Sequence, residues 1–184
     1  MSAVRIAAAM LRTLGEVARL PRLTSRLLCG KRIRIFGLDH LQGRTVVATA
    51  HVGNWELAAQ VLGAVAGPVS VIYRADPRHL VERWLSRHRD PSVEFIPAGP
   101  DGFRRALRRL AEHRRVVVTV DQDRAITPAT CRAAVALASR ANARLIPAIL
   151  IRRGGRYRFV ALVGRPVVVA SPHRLAAVMN RLVL

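Results

Sequence analysis

Thr45-Val46-Val47-Ala48-Thr49-Ala50 is a short apolar run rich in β-branched residues, and it leads straight into His51-Val52-Gly53-Asn54-Trp55-Glu56. The run reads as a strand, and Asn54 to Val65 has the composition of a helix. A strand that hands over to a helix through a polar bend is the repeating unit of an α/β fold. The same alternation continues downstream. Val69 to Tyr73 reads as a strand after the Gly67-Pro68 break, Pro77 to Arg87 as a helix, and Val93 to Ile96 as a strand stopped by Pro97. Phe103, Ala106, Leu107 and Leu110 step i, i+3, i+4, i+7, which predicts one buried helical stripe. Val116 to Val120 is continuously apolar, as a strand buried on both faces would be. Pro128 to Ala141 reads as a helix and Leu145 to Ile151 as a strand. A turn at Arg152 to Arg156 then predicts a hairpin into Tyr157 to Val163, and Ser171 to Leu182 reads as a closing helix capped by Ser171 and Pro172.

Upstream, Arg32 to Phe36 reads as a strand, separated from Thr45 by turn residues between Gly37 and Gly43. Met1 to Leu20 carries Arg5, Arg12 and Arg19 at seven-residue steps among Ala, Ile, Met and Leu, and reads as an amphipathic helix ended by Pro21. The expectation is a single domain over residues 1–184. Residues 1–22 form a basic N-terminal helix, and residues 45–151 an alternating core whose mainly parallel central sheet is flanked by helices.

The composition agrees with a folded domain. Of 184 residues, 51% are hydrophobic, enough for a core, although only 4% are aromatic, so Ala, Val, Leu and Ile must fill it. The formal charge is +20, from 31 basic and 11 acidic residues, and every basic residue but Lys31 is Arg. Such a field favours anionic partners: nucleic acid, phospholipid headgroups or phosphorylated substrates. Cys29 and Cys131 offer neither a disulfide framework nor metal-ligand spacing. The apolar stretch from Leu57 to Tyr73 is interrupted by Gln60, Gly63, Gly67 and Pro68, so no membrane-spanning helix is expected.

In an open α/β sheet, chemistry gathers where strands end and helices begin. Three such handovers are polar here: His51 to Glu56, Arg74 to Asp76, and Asp121 to Arg124. The five-residue spacing from His51 to Glu56 can bring the carboxylate back to the imidazole, fixing its tautomer and leaving the other ring nitrogen free as a general base. A capping or core histidine beside a favourable helix-start acid fits the spacing equally well, and Gly53, which permits close approach by a ligand, tilts the balance towards chemistry. Arg74 offers a planar fork for phosphate or carboxylate. Asp121 and Asp123 could position Arg74, hydrogen-bond an acceptor or hold a cation, but two carboxylates make a thin metal site and none is predicted.

Thr49-Ala50-His51-Val52-Gly53-Asn54-Trp55-Glu56-Leu57 resembles the catalytic block of the bacterial lipid A biosynthesis acyltransferases of the lauroyl/myristoyl type. The likeness extends upstream to Leu20-Pro21-Arg22-Leu23 and Phe36-Gly37-Leu38-Asp39-His40-Leu41. Downstream, Val71-Ile72-Tyr73-Arg74, Asp121-Gln122-Asp123, Thr127-Pro128-Ala129 and Leu145-Ile146-Pro147-Ala148 follow in family order. The resemblance implies a glycerol-3-phosphate acyltransferase-like fold, with His51 as base on an acceptor hydroxyl and Glu56 as its holder. It also implies direct transfer from an acyl carrier protein or coenzyme A thioester with no other cofactor, and places Arg74 where the family carries a basic residue; Asn54, Arg74, Asp121 and Asp123 are the expected substrate contacts. With no spanning helix expected and a strongly basic surface, the expected place is peripheral, on the anionic cytoplasmic face of the bacterial inner membrane. The segment between Asp123 and Thr127 is shorter than the family's usual loop, which leaves a non-catalytic lipid- or carrier-binding homologue as the alternative. A nucleic-acid-binding module is the third reading. It lacks zinc spacing, a recognition-helix motif and an aromatic RNA platform, so no specific nucleic acid is expected as a partner.

Overall fold

The computed structural model describes residues 15–16, 20–30, 32–74, 87, 93–121, 125–153, 158–167 and 171–183. Seven strands, β1 (Ile33–Phe36), β2 (Thr45–Thr49), β3 (Val69–Tyr73), β4 (Val93–Pro97), β5 (Arg115–Thr119), β6 (Arg144–Arg152) and β7 (Phe159–Val163), form one sheet in the order β1-β7-β6-β2-β5-β3-β4. The run from β6 to β4 is parallel, β7 is antiparallel to β6, and β1 is parallel to β7. The helices are α1 (Leu20–Cys29), α2 (Trp55–Ala66), α3 (Pro100–Ala111), α4 (Pro128–Arg140) and α5 (Pro172–Val183). The mainly parallel, helix-flanked sheet expected from the sequence is the observed architecture.

Alternation along the central strands explains the layers. Val46, Ala48, Val116, Val118 and Val120 face a core completed by Ala106 and Leu110 of α3, Leu137 of α4 and Met179 of α5. Their neighbours Val47 and Val117 face the opposite core, with Ala59 of α2. Both faces of the central strands are covered, so the strands read as unbroken apolar runs. Thr127 closes the start of α4 through a reciprocal pair with Thr130: each side-chain oxygen accepts from the other's backbone N–H, at 3.3 and 3.0 Å.

Pro21, expected to stop the helix before it, lies in the first turn of α1. There the missing N–H has no intrahelical partner in any case, so proline is tolerated. The β6 strand is nine residues long and holds Pro147 within it. The helix expected from Met1 to Leu20 and that from Pro77 to Arg87 lie almost wholly outside the described residues.

Candidate active site

His51 lies just past the end of β2, and Asp121 just past the end of β5, the neighbouring strand. The Val120 N–H donates to the Thr49 carbonyl at 2.8 Å and carries the ladder up to the site. One Asp121 oxygen then accepts from the His51 backbone N–H at 2.7 Å, and the other meets Nδ1 of the ring at 2.8 Å. Burial acts to raise the Asp121 carboxyl, but the hydrogen bonds from the His51 ring and backbone outweigh it and hold the group below its ordinary value. An ionised carboxylate only accepts, so Nδ1 carries the proton and Nε2 presents its lone pair. The imidazole is 47% exposed against 15% for the Asp121 side chain, so the ring faces solvent while the carboxylate is sheltered.

The bend after His51 is fixed by three further contacts. Gly53 has φ +72°, and a Cβ there would lie 2.1 Å from the Leu150 carbonyl oxygen, so only glycine fits. The Asn54 side chain caps α2 by accepting from the Leu57 N–H at 3.1 Å, and its amide NH2 donates to Glu16 at 2.8 Å. Glu16, 2% exposed, also takes two contacts from Arg152, at 2.6 and 2.8 Å, and the Arg152 guanidinium lies 4.8 Å over the Phe159 ring. A donor-only helix end on one side and an acceptor-only carboxylate on the other leave the Asn54 amide a single orientation.

Asn54 was expected among the substrate contacts and is instead fully buried as this cap. Glu56, expected to hold the histidine, lies on the first turn of α2 at 2% exposure and is itself engaged, while Nδ1 is taken by Asp121. Arg74 stands exposed after β3. Asp123 lies outside the described residues. Sequence reasoning missed Glu16, whose one signal was that it is the only acidic residue before Asp39.

Trp55 packs edge-on against the His51 ring, with centroids 5.7 Å apart, and Phe95 packs edge-on against Trp55 at 6.3 Å. Beneath Trp55 an almost wholly apolar cavity runs between α2 and the sheet, lined by Thr49, Ala58, Leu62, Leu150 and Leu162 and reaching Leu38. The cavity thus reaches from Trp55, which packs on the histidine, to Leu38, itself 38% exposed just past β1. Cys131 is fully buried and its thiol is pushed up to about 11 by burial, far from a reactive thiolate. Among the described residues, no group of three or more His, Cys, Asp or Glu could hold a metal, and no helix is long and apolar enough to cross a membrane.

Comparison with solved structures finds the same fold in the 1-acyl-sn-glycerophosphate (LPA) acyltransferase PlsC from Thermotoga maritima. The match has a TM-score of 0.53 at 14% identity and covers 92% of this chain and 76% of that one. Comparison with curated proteins finds no match. The family profile described as bacterial lipid A biosynthesis acyltransferase matches residues 4–183, nearly the whole sequence, and the chain belongs to that acyltransferase family.

Proposed function

We propose that the protein moves a fatty acyl group from an acyl carrier protein or coenzyme A thioester to a hydroxyl of a membrane lipid or glycolipid, with His51 as the general base. The observation that carries this reading is the two-pronged grip of Asp121 on His51, which fixes the ring with Nε2 outward at the carboxyl ends of the strands. Nε2 takes the acceptor's proton as its oxygen attacks the thioester carbonyl. The tetrahedral intermediate collapses with cleavage of the C–S bond, and the imidazolium returns the proton to the departing thiolate. Asp121 stabilises the imidazolium between these steps, as a carboxylate behind a catalytic histidine does. No acyl-enzyme is needed, and the buried Cys131 is unsuited to form one.

In this reading Glu56 steadies the first turn of α2 beneath His51, and the apolar cavity beside Trp55 receives the acyl chain. Arg74 and Asp123 serve the phosphate or hydroxyl groups of the substrates. The protein works peripherally at the anionic inner face of the bacterial inner membrane.

Purified protein is offered labelled acyl-carrier-protein and acyl-coenzyme A thioesters with a bacterial lipid extract, and products are read by mass spectrometry. A new acylated lipid is expected from the wild type, and a rate lower by about 10³-fold from His51→Ala, in the range of general acid–base catalysis. A folded His51→Ala protein that keeps full rate sinks the mechanism. A folded wild type that makes no product favours the non-catalytic homologue.

A further inference from the structure

Among the described residues, several arginines are held by internal partners. Arg105 and Arg109 of α3 hydrogen-bond to Glu94 of β4, Arg109 also reaches Glu112, Arg115 donates to the Leu41 carbonyl, and Arg152 is bound to Glu16. These are consumed by the fold. Arg32 and Arg34 on the β1 side, Arg153 after β6 and Arg158 before β7 are exposed instead, and have no carboxylate partner among the described residues. All four line one groove of about 1000 Å³ along the β6–β7–β1 edge, with Ile151, Val160 and Leu162 in the same groove.

Strand register builds this groove. Arg34 and Ile151 both stand opposite Val160, and Phe36 stands opposite Leu162, so these side chains share one face. Ile33, one step along β1, is buried on the other face. Phe36 is 55% exposed, more than any other large hydrophobic residue among those described. Because β1 and β7 run against β6, residues Arg32 and Arg158 lie beside the carboxyl end of β6, the end of the sheet that carries His51. The apolar cavity lined by Trp55 also reaches Leu38, just past the same edge strand.

We propose that this β6–β7–β1 edge docks the protein on an anionic phospholipid surface, with the four guanidiniums on lipid phosphates and Phe36 in the apolar layer beneath them. Four guanidiniums without a carboxylate partner among the described residues, around an aliphatic floor with an aromatic ring at the rim, match a membrane interface, where phosphate and hydrocarbon lie side by side. A nucleic acid would leave the aliphatic floor without a partner. The proposal rests on the peripheral placement proposed above, and docking is read without turnover, so its failure is distinguishable from a failure of acyl transfer.

The test is sedimentation of the full chain with vesicles of phosphatidylglycerol and phosphatidylcholine, and with phosphatidylcholine alone. Any chain of charge +20 binds anionic vesicles to some degree, so the comparison is between two variants of equal charge. One is Arg32→Gln/Arg34→Gln/Arg153→Gln/Arg158→Gln. The other removes four exposed helical arginines, as Arg108→Gln/Arg132→Gln/Arg174→Gln/Arg181→Gln. The edge variant is expected to lose about thirtyfold or more in partitioning to anionic vesicles, and the control less than about threefold. Phe36→Ser is expected to weaken severalfold the binding that survives at ~0.5 M salt, where ion pairing is screened. Equal losses in the two charge variants would show diffuse attraction and overturn the proposal. An edge variant that keeps vesicle binding while losing an acidic protein or nucleic acid also overturns it.

Discussion

Asp121 and Glu94 sit at opposite ends of one sheet, and each carboxylate is gripped by basic groups. At the amino end, Glu94 accepts from Arg105 at 2.6 Å, from Arg109 at 2.7 Å and from Ser70 at 2.6 Å. Burial acts to raise its carboxyl, but these hydrogen bonds outweigh burial and hold it at about 2. The Arg109 guanidinium is stabilised in turn and pushed further up. At the carboxyl end, Asp121 holds one residue, His51, with both oxygens. The partners differ in kind. Arginines stay charged at every working pH, so Glu94 is locked and saturated, and its product is the attachment of α3 to the sheet. Histidine can gain and lose a proton, and its second nitrogen is open to solvent, so the same kind of contact at Asp121 leaves a reactive atom available.

The largest effect that sharpens this contrast is expected from Asp121→Asn. It is predicted to lower turnover by about 10²–10⁴-fold, because an amide can present a donor to Nδ1 and favour the wrong tautomer. Its melting temperature should fall less than that of Glu94→Gln, and steady-state rates beside thermal melts check both. A variant with full rate would leave Asp121 as structural as Glu94. Glu16→Ala comes next. Removing a buried carboxylate from Arg152 and Asn54 is expected to cost about 3 kcal/mol of stability, read by urea unfolding. Glu94→Gln should cost about 2 kcal/mol, the scale of hydrogen bonds to charged groups, with kcat unchanged. A loss of rate at unchanged stability in Glu94→Gln would erase the distinction between the two ends.

The β/α alternation was legible because Thr45 to Thr49, Val69 to Tyr73 and Val116 to Thr119 are apolar runs set between helical stretches. His51 was legible because it ends such a run. The partner on its Nδ1 was not. Spacing sees Glu56, five residues away, whereas Asp121 lies 70 residues away and arrives only because β5 crosses over to lie beside β2. Strand order is set by the packing of crossover helices, which local pattern does not encode. Glu16 was hidden for the same reason: its contacts to Asn54 and Arg152 span 38 and 136 residues. The helical stripe of Phe103, Ala106, Leu107 and Leu110 was legible from its spacing, but that Arg105 and Arg109 beside it would be spent on Glu94 depends on what the neighbouring strand supplies.

Acid provides the smallest and most specific probe of the comparison. Glu94 has a folded value of about 2 against an ordinary 4.5, so between these pH values it is ionised in the folded chain and protonated in the unfolded one. The unfolded state then binds more protons, and stability must rise with pH across that window. The Glu94 contribution is therefore fully present above about pH 4.5 and is lost as pH falls towards 2. Asp121, also held below its ordinary 3.8, adds a contribution of the same sign. Glu94→Gln is expected to flatten the acid limb of a stability–pH curve measured by urea unfolding from pH 7 to pH 2.5, while leaving its neutral plateau lowered but level. Asp121→Asn should flatten it less, because one titratable imidazole replaces several permanent cations as the partner. Parallel acid limbs in wild type and Glu94→Gln would mean that Glu94 is not locked, and the amino end of the sheet would lose its claim to be the purely structural one.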